Sequence, residues 1–418
     1  MASPKPAGEL NPVSLEEALM TTWKREQTFQ QSIQMRHDGA PFIFLEGPPT
    51  ANGLPGIHHV AARTYKDLVC RWKAMEGHFV ERKGGWDTHG LPVEIEVQKR
   101  LDLMSNEQIL EFGMQEFNEE CKKSVWTYED AWGKMTERMA FWVDLDDPYV
   151  TLHNEYIESG WWALKQMFDK GLLYKGHKVL PFCPQTGTSY STHEVALGYK
   201  EVEEPSVYLK FKLVDDDAAV LAWTTTPWTL VANMAITVSP HFEYSLVKLG
   251  THVTVIATEL LSKVAETVGM TPEVLGTAKG EALVGLLYNH VFCDRTCPII
   301  SGDHVTLEDG TGLVHTAPGH GTDDYIVGLA NTLDIYCPVL ADGTYDDTVP
   351  EFLAGLLVWD ANDVVVEHLK SSDHLCHVSM YTHSYPHDGR SKTPVIFRST
   401  EQWFVGVDTE FNDGKSMR

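Results

Sequence analysis

The sequence predicts an α/β protein that is interrupted by a second, β-rich domain. A strand, a helix and another strand follow one another between residues 42 and 81, the order of a parallel βαβ unit. From about residue 200 the pattern changes to short apolar or alternating runs, and near residue 390 it changes back. These two changes indicate that one domain is inserted into another.

Length, charge and composition limit the class of protein. The 418 residues are 43% hydrophobic, which is enough for about two to four domains with sizeable cores. The net charge of −26 argues against a protein whose main role is to coat nucleic acid, because phosphates need basic partners. No apolar run reaches about 18 residues and residues 1–12 contain no apolar signal core, so we expect neither a membrane span nor a secretion signal.

The cysteines indicate a cytoplasmic location. The chain has seven, an odd number, and they are widely spaced, which is typical of free thiols in a reducing compartment. Cys293 and Cys297 are four residues apart but have no second close pair, so no zinc or other metal site is predicted.

The first 200 residues are predicted to be mostly helical around the βαβ unit. Ser14 with Glu17 and Ser105 with Gln108 form capping boxes, a sequence signal of a helix start. The predicted elements are a flexible tail over 1–13, helices over 14–36 and 57–76, strands over 42–45 and 79–81, and further helices within 93–180. The apolar stripes are Val60, Leu68, Trp72 and Met75 on the second helix and Ile157, Trp161, Leu164 and Phe168 farther along.

The later residues are predicted to be rich in strands. Short strands occupy 207–314 with a turn at 215–217, a helix spans 323–332, and a strand at 394–397 returns to the first domain. The resulting domains are the N-terminal half of the α/β domain with helical additions over 14–200, the inserted domain over 201–390 and a return segment over 391–418.

The loop from Gly47 to His59 is the first candidate site. It follows a strand and precedes a helix, where free backbone N–H groups attract anions. His58 and His59 lie in the first turn of that helix, beside any bound phosphate. The other interpretation is an ordinary turn with two surface histidines.

The second candidate is the segment 85–92, Gly-Trp-Asp-Thr-His-Gly-Leu-Pro, which lies just past the second strand. Ligands of open α/β sheets bind outside the carboxyl ends of the strands, and a carboxylate such as Asp87 can hold an ammonium group there. Alternatively, Asp87 only caps the next helix.

Two candidates lie in the β-rich domain. The three threonines 224–226 offer hydroxyls that can orient water or a ribose, although their high β-propensity alone explains them. An apolar strand ends at His315 and is followed by a Gly/Pro loop with Asp323 and Asp324. Those residues indicate a ligand site, whereas the structural alternative is a core histidine and two helix-capping aspartates.

Taken together, these segments resemble the N-terminal part of the isoleucyl-tRNA synthetases, which are class I enzymes. The resemblance runs from about residue 14 to 410, and the motifs appear in the expected order. The Gly-Trp-Asp-x-His-Gly-Leu-Pro pattern favours isoleucine over the leucine and valine relatives. The segments that carry it are 44–53, 85–92, 224–229 with Asn233, 310–325, 384–387 and 400–404.

The resemblance implies a Rossmann-like class I synthetase catalytic domain, present as its first half, with an inserted β-rich editing domain. The first domain would join isoleucine to ATP, with Mg²⁺, and pass the acyl group to tRNA(Ile). By resemblance, Pro49, Asp87, Trp86 and His89 would bind the amino acid, with Asp87 on its ammonium group. Gly53, Gly56, His58 and His59 would contact ATP, and both histidines would take part in catalysis.

The inserted domain would hydrolyse misformed valyl-tRNA(Ile). One methylene separates isoleucine from valine and contributes only about 1–3 kcal/mol, a limit for which this enzyme family is itself the standard example. By resemblance, Asp324 would bind the α-ammonium group, His315 would lie near the acyl group, and Thr225 and Asp324 would be catalytic. Thr224, Thr225, Thr226 and Asn233 would hold the terminal adenosine and water.

The chain departs from the family pattern in three places. The His-x-Gly-His signature is replaced by Gly56-Ile57-His58-His59, so we expect ATP to bind with altered loop geometry. The Lys-Met-Ser-Lys-Ser loop and the second half of the Rossmann domain are absent, which is typical of a fragment of a longer enzyme. The return segment carries 387–391, His-Asp-Gly-Arg-Ser, where relatives often have cysteine, so no zinc is expected there.

Two other functions remain possible from sequence alone. A stand-alone deacylase of mischarged tRNA would need Asp324 and the threonines but not His59. A non-catalytic pseudo-synthetase that binds nucleotide or tRNA would need neither reaction.

Overall fold

The computed structural model describes residues 11–50, 52–103, 105–196, 198–389, 391–411 and 414–418. The chain divides into two compact units, Met1–Lys170 and Gly171–Arg418. The domain boundary proposed near residue 200 therefore falls inside the second unit. Most of the predicted tail, Ala51 of the first candidate loop and Arg390 of the return segment lie outside the described residues.

The first unit is mainly helical. Two short strands, β1 (Lys83–Trp86) and β2 (Asp144–Val150), pair in parallel. The helices are α1 (Pro12–Glu26), α2 (Thr28–Gln34), α3 (Ile57–Met75), α4 (Leu91–Leu101), α5 (Asn106–Phe112), α6 (Met114–Trp126), α7 (Glu129–Arg138) and α8 (Asn154–Asp169).

The predicted helix over 14–36 is two helices that start earlier than expected. Asn11, not Ser14, caps α1, because its side chain accepts the Ser14 N–H at 3.3 Å. Gln27 adopts the left-handed conformation, with a φ of 51°, and this breaks the run. The capping role of Ser105 is confirmed, since its hydroxyl accepts the Gln108 N–H.

The predicted strands of the βαβ unit were wrong in position. Residues 42–45 form no regular strand, and 79–81 contribute only a parallel bridge between Pro41 and Phe79. The strand, β1, begins at Lys83 instead. Residues 42–45 are also not the fully buried segment that was expected: Phe42 and Phe44 pack inward, while Ile43 and Leu45 are 79% and 86% exposed.

The apolar stripe predicted on α3 is not the buried face of that helix. Leu68, Trp72 and Met75 are exposed, and the helix buries Arg63, Cys70 and Ala74. The small side chains at 70 and 74 allow the helix to approach Phe42, Phe44 and Val80 closely. The predicted stripe of α8 is likewise exposed, with Trp161 and Phe168 at 68% and 60%, although the helix itself is present.

The second unit is built on β-sheet, as predicted. Its strands are β3 (Leu173–Cys183), β4 (Thr188–Ser189), β5 (Tyr199–Lys212), β6 (Ala219–Thr224), β7 (Ala235–Val238), β8 (Glu243–Leu249), β9 (His252–Ala257), β10 (Pro272–Lys279), β11 (Leu287–Asn289), β12 (Thr296–Ser301), β13 (Leu313–Thr316), β14 (Leu375–Pro386) and β15 (Ile396–Val405). Its helices are α9 (Thr192–Val195), α10 (Leu261–Val268), α11 (Thr322–Ala330) and α12 (Ala361–Ser371), with 3-10 turns at Pro227–Ala232, Thr258–Leu260 and Gly280–Ala282.

Ten of these strands form one mixed sheet. The order is β10-β8-β9-β6-β13-β7-β12-β11, and β5 pairs with β6 on one side and β14 on the other. The predicted turn at 215–217 links β5 to β6 and is fixed by the Ala218 N–H, which donates to Asp216. Fully buried residues on β5, β6 and the neighbouring strands form the core, among them Phe211, Leu221 and Ile236.

Two antiparallel strand pairs, β3 with β15 and β5 with β14, form what we call the base of this unit. β3 pairs with β15 along its whole length, and β5 pairs with β14 from Tyr199 opposite Pro386 onward. The chain therefore enters and leaves the β-rich region side by side, which is the arrangement expected for an insertion. The strand predicted over 394–397 is part of this base and begins at Ile396.

Candidate functional site

The strand ends of β6 and β13 bring the two candidate segments of the β-rich unit together. The two strands are parallel and in register at Trp223 and Val314. Thr224, at the end of β6, and the two threonines after it therefore meet His315 and the loop after β13 at the same edge of the sheet. Between them lies a cavity of about 410 Å³ that is lined by Thr224, Thr225, Thr226, His315 and Asp324, among others.

The threonine hydroxyls form a connected cluster at the cavity wall. Thr224 Oγ1 accepts the Thr226 N–H at 3.1 Å and lies 3.2 Å from Thr226 Oγ1. Thr229, one turn farther on, donates its hydroxyl proton to the Thr226 carbonyl at 2.9 Å. Thr225 lines the cavity and makes no side-chain hydrogen bond within the described ranges.

His315 is held at both ring nitrogens. The Asn233 amide donates to Nδ1 at 2.9 Å, and Nε2 lies 3.0 Å from Thr229 Oγ1. Because the Thr229 proton is already given to Thr226, this oxygen accepts from His315, so the ring is the Nε2–H tautomer. Burial, with smaller contributions from the nearby His290 and His320, lowers the pKa of His315 to about 3.

Asn233 owes its orientation to Tyr288. The Tyr288 hydroxyl donates to Asn233 Oδ1 at 2.6 Å, which leaves the amide nitrogen facing His315 and the Ala235 carbonyl. Both residues are fully buried. Asn233 was predicted as a cavity residue, but it lies behind the wall and acts on the cavity through His315. Tyr288 was missed, since a Tyr on the short strand β11 gives no sequence signal.

Asp324 lies in the first turn of α11 and faces the cavity. One carboxylate oxygen accepts the Ala317 N–H at 2.9 Å. Burial raises the pKa of Asp324, and the Ala317 hydrogen bond opposes that rise. Gly321 leaves the room for this carboxylate, since a Cβ at that position would lie 2.5 Å from the Asp324 carboxyl carbon.

Two histidines of the cavity were not assigned a role from sequence. His304 and His320 both line it, and each has a buried Nε2 with no hydrogen-bond partner among the described residues. His304 belongs to the segment after β12, outside the segments that the sequence singled out, so its position gave no sign that it lines the cavity. His320 lies within the predicted loop, between the strand and the helix.

In the first unit, the loop after residue 46 is tied down by Trp132. Its indole N–H donates to the Gly53 carbonyl at 2.9 Å, and its ring lies 4.6 Å from that of His59. Trp132 was not predicted, because it comes from α7, which is distant in sequence. The loop and the helix start are thus fixed by one buried aromatic side chain.

His59 caps its own helix. The Gly56 N–H donates to His59 Nδ1 at 2.8 Å, which leaves the proton of the neutral ring on Nε2. His58 is exposed, and the two ring centroids are 3.8 Å apart. Burial lowers the pKa of His59, with smaller contributions from the charges of His58 and Arg63.

Asp87 and Pro49, which the resemblance assigns to the amino-acid site, lie next to one another. The Asp87 N–H donates to the Pro49 carbonyl at 3.1 Å, and Thr50 donates to the Asp87 carboxylate at 3.0 Å. Trp86 is only 3% exposed and packs on Trp132 and Val150, so its side chain supports the site from beneath. His89 is exposed.

The described parts of the chain show neither a metal-ligand cluster nor a membrane-spanning helix. They contain no group of three or more His, Cys, Asp or Glu side chains that could hold a metal ion. Within the same ranges, no helix has the length and apolar character needed to cross a bilayer.

Comparison with known proteins gives one consistent description. A family model for the class I tRNA synthetases (I, L, M and V) matches residues 18–415. The isoleucine–tRNA ligase of Clostridium kluyveri is 45% identical over 399 residues, which are 94% of this chain and 38% of that protein. That of Thermus thermophilus is 43% identical over 418 residues, which are 98% of this chain and 39% of that protein.

The chain thus spans about two fifths of the length of the curated relatives it matches. Among solved structures, it is similar to the crystal structure of GlLeuRS-CP1 with a TM-score of 0.35 and 14% identity, over 43% of this chain and 99% of that one.

Proposed function

Because the chain belongs to the class I tRNA synthetases of the isoleucine, leucine, methionine and valine group, we propose that it carries two sites of an isoleucine–tRNA ligase. One activates isoleucine with ATP and charges tRNA(Ile), and the other hydrolyses valyl-tRNA(Ile). The observation that carries the proposal is the cavity in which the threonines, His315 and Asp324 converge. The relatives' names support isoleucine as the amino acid.

In the proposed activation step, the isoleucine carboxylate attacks the α-phosphorus of ATP, and pyrophosphate leaves. Asp87 holds the substrate ammonium group beside Pro49, while Trp86 supports the site and exposed His89 borders it. His58 and His59 face the phosphates with the backbone of Gly53 and Gly56. Mg²⁺ enters with ATP as part of the substrate, and its charge offsets that of the phosphates.

In the proposed hydrolysis, water attacks the ester carbonyl of valyl-tRNA(Ile), and valine and the tRNA hydroxyl leave. Asp324 pairs with the α-ammonium group through the oxygen that does not bind Ala317. Thr224, Thr225 and Thr226 orient the water and the terminal adenosine. His315 acts by fixing the threonine wall, because both of its ring nitrogens are already occupied.

Two alternatives are a stand-alone deacylase and a non-catalytic binding module. The deacylase differs from the main proposal in having no activation step. The binding module differs from both in lacking hydrolysis. Measuring the two reactions separately distinguishes all three.

The test is deacylation of valyl-tRNA(Ile) by the purified protein and by two variants. Asp324→Asn should lower the rate by about a hundredfold, since a charged partner of the ammonium group contributes about 1.5–3 kcal/mol. Asp323→Asn is the matched control. It removes one negative charge from the adjacent residue, whose side chain does not line this cavity. Equal rates in all three proteins would contradict the assignment of the hydrolytic site.

ATP–pyrophosphate exchange with isoleucine tests the other half of the proposal. Exchange that His59→Asn abolishes would support an activating site, with His89→Asn as a variant at the rim. Hydrolysis without exchange would favour the stand-alone deacylase, and neither reaction in a folded protein would favour the binding module.

A further inference from the structure

A second, smaller cavity lies on one face of the large sheet. Its volume is about 80 Å³, and within the described ranges it shares no lining residue with the candidate hydrolytic cavity. Lys210 on β5 lies opposite Leu221 on β6. Two residues earlier on β6, Ala219 lies opposite Thr254 on β9. Paired residues and residues two apart on one strand point to the same face, so three regular strands direct Lys210, Leu221 and Thr254 into what we call the Lys210 cavity.

The ammonium group of Lys210 is buried in this cavity. The side chain is only 5% exposed, and Nζ donates to His252 Nε2 at 3.1 Å and to the Asp373 carboxylate at 3.3 Å. An ammonium group has three N–H donors, so one of them has no partner among the described residues. The backbone is fixed as well, because the Lys210 N–H donates to the His374 carbonyl at 2.8 Å.

Thr254 adds a second unused donor to the Lys210 cavity. The residue is 2% exposed, and its hydroxyl oxygen is buried with no hydrogen-bond partner in the described parts of the chain. A buried hydroxyl without a partner is costly to the folded state. A ligand in the cavity that accepts the hydroxyl proton would remove that cost.

The positive charge of Lys210 is only partly compensated. Its carboxylate partner, Asp373, is 66% exposed and the neighbouring His252 is 42% exposed, so solvent screens both of them. The charge and the hydrogen bond of Lys210 are the main causes that lower the pKa of Asp373, and the charges of His252 and Lys212 contribute less. A negative ligand inside the cavity would therefore compensate a buried charge that the surface carboxylate compensates incompletely.

We propose that the Lys210 cavity binds a small, weakly hydrated monovalent anion such as bromide, chloride or nitrate. The anion accepts the third N–H of Lys210 and the hydroxyl proton of Thr254. The rest of the wall is mainly apolar and includes Leu221, Leu249, Met270 and Leu375. Because such side chains do not replace lost water, ions that are easily dehydrated are favoured over fluoride or sulfate. A cavity of about 80 Å³ has room for one such ion and not for a nucleotide, so the site is independent of the proposed tRNA chemistry.

The first test is the anomalous scattering of bromide in crystals of the protein. Wild-type crystals soaked in bromide should show an anomalous peak within hydrogen-bond distance of Lys210 Nζ and Thr254 Oγ1. Lys210→Met keeps a long side chain without the charge and should lose the peak. Lys248→Met is the matched control, because it removes the same charge from an exposed residue of β8 that does not line the cavity, and it should keep the peak.

The second test measures binding in solution, by urea unfolding at constant ionic strength while bromide replaces fluoride. A ligand that binds only the folded state raises its stability in a saturable way, so the wild-type midpoint should rise relative to that of Lys210→Met. Thr254→Val keeps the shape of the side chain and removes the hydroxyl, so the bromide affinity should fall about tenfold, as for loss of one charge-assisted hydrogen bond.

Occupancy of the cavity by water alone would give different results. A map with no anomalous peak at Lys210, or the same peak and the same bromide dependence in wild type and Lys210→Met, would overturn the proposal. Circular dichroism checks that each variant is folded. If Lys210→Met does not fold, Thr254→Val takes its place in the comparison, and an unchanged bromide affinity in that variant would also contradict the site.

Discussion

The side-chain amide nitrogen of Asn233 lies 2.9 Å from Nδ1 of His315, and this contact fixes which nitrogen of the ring carries the proton. The hydroxyl of Tyr288 holds the amide in that orientation from the opposite side. His315 is thus set by a chain of three buried hydrogen bonds that ends at the threonines of the cavity. Such a chain rigidifies a site only if each member is satisfied.

Tyr288→Phe should weaken both the fold and the cavity. The substitution leaves Asn233 Oδ1 buried without its donor, so we expect a loss of about 1–3 kcal/mol in the free energy of unfolding. It also allows the amide to turn, so deacylation should fall severalfold. Tyr345→Phe, which removes another buried hydroxyl bonded to the Trp228 carbonyl, is the control for stability alone. Urea unfolding and deacylation rates distinguish the two effects.

Gly321→Ala should displace Asp324 without unfolding the protein. The new Cβ would lie 2.5 Å from the Asp324 carboxyl group, so the side chain must turn away from Ala317. We expect deacylation to fall at least about tenfold, as for loss of one charge-assisted hydrogen bond. Gly276→Ala, where a Cβ meets no atom within 4 Å, should keep the wild-type rate. A wild-type rate in Gly321→Ala would show that Asp324 need not hold this position.

Asp324→Asn should stabilise the protein at neutral pH. Burial raises the pKa of Asp324 above its unfolded value, so the charged form costs stability above the folded pKa. That cost disappears as the pH falls through the folded pKa. An amide avoids it and still accepts the Ala317 N–H, so the urea midpoint should rise at pH 7 and match wild type at acidic pH. A lower midpoint at pH 7 would contradict this account.

His290→Asn should reduce sensitivity to acid. Burial, followed by the charge of Arg295, lowers the pKa of His290 to about 3. Between about pH 6.5 and the folded-state pKa, the unfolded chain binds one more proton at this side chain than the folded chain does. The free energy of unfolding therefore decreases by about 1.4 kcal/mol for each unit by which the pH is lowered. Asn keeps an acceptor for the Phe292 N–H and removes this proton. Urea unfolding at pH 6.5, 5.5 and 4.5 should show the two stabilities converging, and parallel curves would refute the assignment.

Trp132→Phe should free the loop after residue 46. It removes the indole N–H that donates to the Gly53 carbonyl but keeps most of the ring packing against His59. We expect amide hydrogen exchange over 52–59 to accelerate about fivefold to tenfold, as for loss of a hydrogen bond of about 1 kcal/mol. Exchange in β6 of the other unit serves as the internal reference and should not change.

The sequence predicted most where polar side chains belong to motifs that occur in the family's order along the chain. The class I fold with a β-rich insertion and the family resemblance are confirmed by the family match over 18–415. Thr224, His315 and Asp324 were expected in one site, and the parallel pairing of β6 with β13 brings them together. The residue roles remain predictions that the deacylation test addresses.

Burial and long-range partners could not be predicted in the same way. The stripe of Leu68, Trp72 and Met75 has helical spacing, but periodicity does not tell which face another element covers, and the small residues Cys70 and Ala74 are buried instead. Tyr288 reaches Asn233 across 55 positions of sequence. No local pattern contains that information, because sheet order determines it.

The base of the β-rich unit, where Phe182 lies opposite Ile396, makes the region between them a cassette. Neighbouring strands are about 5 Å apart, so the two cut ends could be rejoined by a short hairpin turn. The region can therefore be removed, exchanged or inserted into another antiparallel strand pair without a change in the path of the surrounding chain. Transfer of the cassette would also transfer the cavity, because every residue that lines the cavity lies between Phe182 and Ile396.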